Sequence, residues 1–166
     1  RWPLGGDELY SRANFFEDRG EHARALEDYG RALALGYDRS NVRLGIGNVQ
    51  RALGNQPAAE EAYREAIRVN PKNSSAYNNL AYLLAERAAK LDEATALARQ
   101  AVFLDPSNPF THDTLGFALF QSGKYTEAAI AFEKARARAL QSPKDTRQAI
   151  AAHLLETHLR TKQTHL

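Results

Sequence analysis

Apolar residues recur along this chain at helical spacing. Leu80, Leu83 and Leu84 fall on one helix face, and Leu91, Ala94, Leu97, Ala98 and Ala101 on another. Paired runs of this kind, separated by short turns such as Gly54-Asn55 and Ser122-Gly123-Lys124, predict helical hairpins. Stop and start signals agree with that reading. Asn70-Pro71 and Asp105-Pro106 end helices, because a residue before proline is pushed out of the α region. Pro57 and Pro109 suit a first helical turn, where no backbone donor is needed.

The pattern also repeats. From Ser74 to Lys134 the second half replays the first, with Leu80 answered by Leu115, Ala81 by Gly116, Ala94 by Ala128 and Ala101 by Ala135. Upstream, Gly20, Ala25, Tyr29 and Ala32 recur 34 positions later as Gly54, Ala59, Tyr63 and Ala66. The next step, to Ala89, Ala94, Ala98 and Ala101, is 35 positions, and the last, to Gly123, Ala128, Phe132 and Ala135, is again 34. Ile46 to Leu80 is still 34, so the added residue is expected in the turn from Glu86 to Lys90. Self-similarity at this period means stacked repeats, each unable to bury its apolar face alone. Four copies are expected, at 6–39, 40–73, 74–108 and 109–142, behind a lead-in at 1–5 in which Trp2 is expected to pack on the first helix. Small residues are placed for close helix approach, with Gly47, Ala81 and Gly116 facing Ala59, Ala94 and Ala128. Gly36 is expected to end the second helix of copy one.

After a Ser142-Pro143 break, residues 143–166 form a last helix that Asp145 can cap, with Ile150, Leu154, Leu155 and Leu159 as its apolar face. Two readings stand for it: a solvating cap, or the first helix of a fifth repeat that is cut short.

Composition changes the picture in three places. Abundant Ala and Leu with few β-branched residues favour an all-α protein. The absence of cysteine excludes disulfides, thiolate chemistry and cysteine-containing zinc sites. The absence of methionine reads most simply as an excised fragment or a processed product. No apolar run approaches the ~20 residues a membrane span needs.

The residues resemble the tetratricopeptide repeat family, whose unit is a 34-residue helix-turn-helix. Tyr77, Leu80, Ala81, Ala94, Ala98, Ala101 and Pro106 carry the likeness in copy three. Leu115, Gly116, Gly123, Tyr125, Ala128, Phe132 and Ala135 carry it in copy four. Arg43 and His112 depart from it, standing where a large apolar residue is usual. The resemblance implies an α-solenoid, a right-handed superhelix whose first helices line a concave side that receives an extended peptide or a partner helix.

Projecting that frame gives candidate partner-binding residues. They are Tyr10 and Asn14 from copy one, Leu44, Asn48 and Arg51 from copy two, and Asn78, Asn79, Tyr82 and Glu86 from copy three. Copy four adds Asp113, Phe117, Phe120 and Gln121. An Asn amide can bond a peptide backbone whatever its sequence, and aromatics supply anchors. The alternative is that these side chains are mainly architectural. Family members that grip a carboxyl-terminal peptide use lysine, asparagine and arginine clamps, but the matching places here hold Tyr10, Asn14, Gly45, Ser75 and Asn79. The cationic half is absent, which argues against chaperone-tail binding.

Candidate chemistry is sparse. Gly45-Ile46-Gly47 lacks the third glycine and the preceding strand of a dinucleotide loop and reads as helix packing. No phosphate loop or nucleophile elbow occurs. His153 and His158 are five apart, missing the four-residue spacing of a helical metal pair, and no metal or cofactor is expected. Glu17-Asp18, Glu60-Glu61 and Asp92-Glu93 are immediate neighbours that point apart on a helix and read as solvated faces. Asn73-Ser74-Ser75 is formally a glycosylation acceptor, read here as a helix cap. No catalytic constellation remains.

From Lys134 onward the cations Lys134, Arg136, Arg138, Lys144, Arg147, Arg160 and Lys162 face only Asp145 and Glu156. That bias suits an acidic partner, while no recognition motif supports nucleic acid. The wording NNLAYLLAE and DTLGFAL resembles bacterial repeat proteins of envelope assembly, pilus biogenesis and polysaccharide export. The expectation is a non-enzymatic scaffold for a protein or peptide, in a periplasmic or membrane-associated setting or equally in the cytoplasm. A self-assembly module and an accessory domain of a larger secretion or export machine are the alternatives.

Overall fold

The computed structural model describes residues 4–37, 39–88 and 90–163. Trp2 and its expected packing lie outside them. Among the described residues the chain is helical without strands, in the order α1 (Gly6–Asp18), α2 (His22–Ala34), α3 (Ser40–Ala52), α4 (Gln56–Val69), α5 (Ser74–Glu86), α6 (Leu91–Leu104), α7 (Pro109–Gln121), α8 (Tyr125–Arg138) and α9 (Lys144–Gln163). A short 3-10 turn, Ala139–Gln141, precedes α9. The helices gather into two compact units, Arg1–Ala76 and Tyr77–Leu166.

The turns show why the glycines sit where they do. After α1 the chain takes a left-handed step at Gly20 (φ +70°). There the N–H of Gly20 donates to the Glu17 carbonyl at 2.9 Å and that of Glu21 to the Phe16 carbonyl at 2.8 Å. These two bonds satisfy carbonyls that the helix end would otherwise leave open, and only glycine takes the conformation without a Cβ penalty. Gly36 closes α2 with the same pair of bonds, from its own N–H to Leu33 and from Tyr37 to Ala32. The connection from α5 to α6 is one residue longer than the three-residue turns after α1, α3 and α7, so the extra residue does fall between Glu86 and Leu91. In that longer turn Ala88 and Lys90 occupy the left-handed region.

In the first unit, α1 and α2 form one hairpin and α3 and α4 another. Tyr29 and Tyr63 are fully buried. Their rings occupy the space over Gly45 and Gly47, where a Cβ would come within 3.0 Å of the ring atoms. The Gly45-Ile46-Gly47 run is therefore packing, each glycine admitting a tyrosine. Arg12 clamps α1 to α2 through Asp28, with Nε to Oδ2 at 2.5 Å and Nη2 to Oδ1 at 2.7 Å. Asn73 caps α5 by accepting the Ala76 N–H at 3.1 Å, while its amide donates to Ser40 Oγ at 2.7 Å. Arg43, in its unusual place, is half-buried beside Glu65 at 3.9 Å.

The second unit runs from Tyr77 through α9. Phe132 of α8 is buried, and its ring fills the space over Gly116 of α7, where a Cβ would lie 2.7 Å from Cδ1. His112 is 4% exposed and donates from Nε2 to the Pro106 carbonyl at 2.9 Å, so it replaces an apolar contact with a hydrogen bond. Helix α9 packs chiefly on α8 through Ile150, Leu154 and Thr157. Leu155 and Leu159, expected on the same apolar face, are instead exposed. One stripe of a helix spans about a third of its circumference, and these two leucines lie on the neighbouring stripe.

Candidate functional site

In the first unit the projected residues are engaged with the fold. Tyr10 of α1 is half-buried, with its ring 6.1 Å from that of Tyr29 and 6.2 Å from that of Tyr37. The Tyr29 hydroxyl lies 2.6 Å from Asn14 Oδ1 and 2.6 Å from Glu17 Oε2. Asn48 donates to Glu17 Oε1 at 3.2 Å and accepts from the Tyr63 hydroxyl at 3.1 Å. Two second-helix tyrosines thus reach through glycine gaps to the first-helix asparagines, with Glu17 joining them. Tyr63 donates its hydroxyl proton to the Asn48 oxygen and Tyr29 shares its one proton between Asn14 and Glu17, so each Asn oxygen has an acceptor site turned inward. Glu17, read from sequence as part of a solvated acidic pair, is the hub of this network. Burial first, and then Glu17, push the Tyr29 phenol far above its usual pKa. Leu44 is half-buried and Arg51 exposed on α3.

The second unit holds a different arrangement. Tyr82 of α5 stacks on Phe117 of α7 with centroids 5.3 Å apart and planes at 25°. Phe117 in turn stacks on His153 of α9 at 6.2 Å and 26°. Asp113, one turn before Phe117, accepts the His153 Nδ1 proton at 2.9 Å. Three helices therefore contribute to one half-exposed aromatic row with a carboxylate at its edge. Phe120 turns away from that row, its ring 5.3 Å from Tyr125 in an edge-on contact, and Gln121 is half-exposed at the end of α7. Asn78 donates weakly to Asn79 Oδ1 at 3.4 Å, and its own Oδ1 is buried with no hydrogen-bond partner among the described residues. Glu86, the last residue of α5, is exposed.

His153 is the member that sequence reading missed. It had been weighed only as half of a metal pair, yet it lies over Phe132 at 5.3 Å and completes the row. No spacing rule would have found it, because its partners come from α7 and α8.

Buried His112 and half-exposed His153 are shifted in opposite senses. The hydrogen bond that His153 donates to Asp113 raises the His153 pKa above 6.5, against the opposing effect of burial. Its contribution to stability is therefore complete below 6.5 and lost as pH rises through the raised value. Burial, with smaller contributions from Arg138 and Lys134, lowers the His112 pKa, although its bond to Pro106 opposes the shift. Its contribution is present above 6.5 and lost as pH falls through the lowered value. Because His112 is common to both proteins, comparing wild type with Asp113→Asn isolates the first effect. The variant's loss of thermal stability is expected to be larger at about pH 5.5 than at about pH 8.5. An equal loss at both would show that no charge coupling exists.

Comparison with known proteins places these features. The tetratricopeptide repeat profile matches residues 10–68 and 44–109, together more than half the chain. The chain is 34% identical over 108 residues to the photosystem I assembly protein Ycf3 of Cyanophora paradoxa, covering 55% of this chain and 62% of that protein. It is 35% identical over 107 residues to the cytochrome c-type biogenesis protein CcmH of Escherichia coli, covering 63% of this chain and 30% of that protein. The chain thus spans less than two thirds of the length of either relative. Among solved structures, Pseudomonas aeruginosa PilF superposes with a TM-score of 0.81 at 19% identity, over 95% of this chain and 69% of PilF. YrrB, described as a repeat protein with an unusual peptide-binding site, gives 0.71 at 18% identity, over 89% of this chain and 74% of that one. At such identities the structural likeness concerns the fold alone. Taken with the hairpins, the glycine-ended turns and the ring-over-glycine packing, the profile match assigns this all-α solenoid chain to the tetratricopeptide repeat family.

Proposed function

We propose that the chain is a non-enzymatic scaffold that holds a segment of a partner protein against the first helices of its second unit. The observation that carries this reading is the Tyr82–Phe117–His153 row, half-exposed and already stacked, with Asp113 at its edge. Rings fixed before binding lose little freedom when a partner covers them, and aromatic side chains dominate the energy of many interfaces. Asp113, its side chain 18% exposed and its Oδ1 engaged by His153, adds its second carboxylate oxygen as an acceptor for a backbone N–H or a cation. In the first unit the Asn14 and Asn48 oxygens are held internally, so the second unit is the stronger half for binding. The relatives named for photosystem I assembly and cytochrome c-type biogenesis support a role for such a scaffold in assembling other proteins, and a bacterial envelope assembly or export complex is the setting proposed for it.

Peptides selected on the intact protein by display should lose about tenfold or more in affinity for Phe117→Ala, equivalent to at least about 1.4 kcal/mol, and a comparable amount for Tyr82→Ala. Circular dichroism must show both variants folded. Unchanged binding by both would refute the assignment.

A further inference from the structure

Helix α9 stands on α8 as a first helix stands on the second helix before it. Ile150 and Leu154 lie 35 positions after Leu115 and Leu119, and both are buried. In α7 two further positions are covered by α8: Gly116 receives the Phe132 ring and Phe120 meets Tyr125. The positions 35 residues on are Ala151 and Leu155, and both are exposed, Leu155 at 62%. The side of α9 on which a second helix would pack is therefore exposed among the described residues.

Next to it lies an open groove of about 600 Å³ between α8 and α9. Ala129, Ile130 and Ala137 give it an apolar floor, with His158 and Thr161 on the α9 side. Its rim is cationic through Lys134 and Arg138. Arg138 donates only to carbonyls, those of Pro106 at 2.6 Å and Lys134 at 3.1 Å, so its charge meets no carboxylate among the described residues. The rim carboxylate Glu133 is committed to Arg136 at 2.7 Å. Lys134 has no acidic partner among the described residues. Several other arginines pair closely, as Arg12 does with Asp28, Arg64 with Glu60 and Arg99 with Glu127. Apolar floor and unpaired cations coincide at this groove.

We infer that the α8–α9 groove docks an amphipathic helix of a partner protein, with carboxylates flanking its apolar stripe. That helix would lie where α4 lies on α3 and α8 on α7. The apolar stripe would cover Ile130 and Leu155, and its flanking carboxylates would answer Lys134 and Arg138. This surface shares no residue with the Tyr82–Phe117–His153 row.

The test uses two synthetic 16-residue amphipathic peptides, about four turns long, with one common leucine stripe. One is flanked by glutamates and the other by lysines. Fluorescence anisotropy on the intact protein should show the glutamate peptide binding at least about tenfold tighter than the lysine peptide, with the preference shrinking as salt screens the rim. Ile130→Asp and, separately, Lys134→Glu should each abolish the preference; both positions are exposed, so neither should unfold the protein. Phe117→Ala should leave it intact, so failure here is distinguishable from failure of the aromatic row. Equal binding of the two peptides, or binding indifferent to both groove variants, would overturn the inference. A concentration-dependent mass in light scattering that Ile130→Asp abolishes would overturn it too, because the occupant would then be a second copy of the chain.

Discussion

Phe132→Ala is expected to lower the free energy of unfolding by about 3–5 kcal/mol. The side chain is 1% exposed, and its ring is simultaneously the filler over Gly116 and the floor beneath His153. Truncation removes the buried surface and leaves a void that neighbouring helices cannot easily close, since Gly116 offers no side chain to move into it. Leu154, in the same cluster as Phe132, would lose part of its packing. Denaturant titration measures the loss. Hydrogen exchange on the variant should quicken in α8 and α9 before it does in the first unit. Phe132→Leu, which keeps most of the volume, is expected to cost less than half as much. A Phe132→Ala loss of under about 1 kcal/mol would mean that the ring is not the centre of this packing.

Gly47→Ala has the next largest effect, a destabilisation of about 1–3 kcal/mol by overpacking. An alanine usually strengthens a helix relative to glycine by up to about 1 kcal/mol, so the sign of the change tests the geometry directly. A Cβ at Gly47 would press into the fully buried ring of Tyr63, which is also held through its hydroxyl by Asn48. The ring cannot swing aside without breaking that bond. Gly30→Ala is the control. It sits in α2, is exposed and has nothing within 4 Å of where its Cβ would go, so it should be neutral or stabilising. In combination with Tyr63→Leu, Gly47→Ala should cost less than the sum of the two single changes, because the smaller side chain relieves the clash. Thermal melts of the four proteins decide it; a stabilising Gly47→Ala would contradict the ring-over-glycine packing.

Much of this architecture was legible in the order of residues. Helical spacing of apolar positions, prolines at helix starts and ends, and glycines at a 34-residue interval led to an all-α repeat protein of this family. The physical reason is that these signals are local. A Gly20-type turn requires one left-handed residue wherever it occurs; counting put the lengthened step after Leu80, and the turn from Glu86 to Lys90, where it falls, was its expected place. Gly45 and Gly47 could likewise be read as packing residues.

What the chain order could not express was the pairing of polar groups across helices. Asn14 and Asn48 looked equally free to bind a peptide, until buried Tyr29 and Tyr63 brought hydroxyls to them. Glu17 looked solvated, His153 isolated, and Leu155 part of one apolar face with Leu154. Spacing records which residues share a side of their own helix. Which neighbour meets that side, and whether its polar atom comes within 3 Å, is decided by packing between helices, where ring size and glycine gaps set the approach.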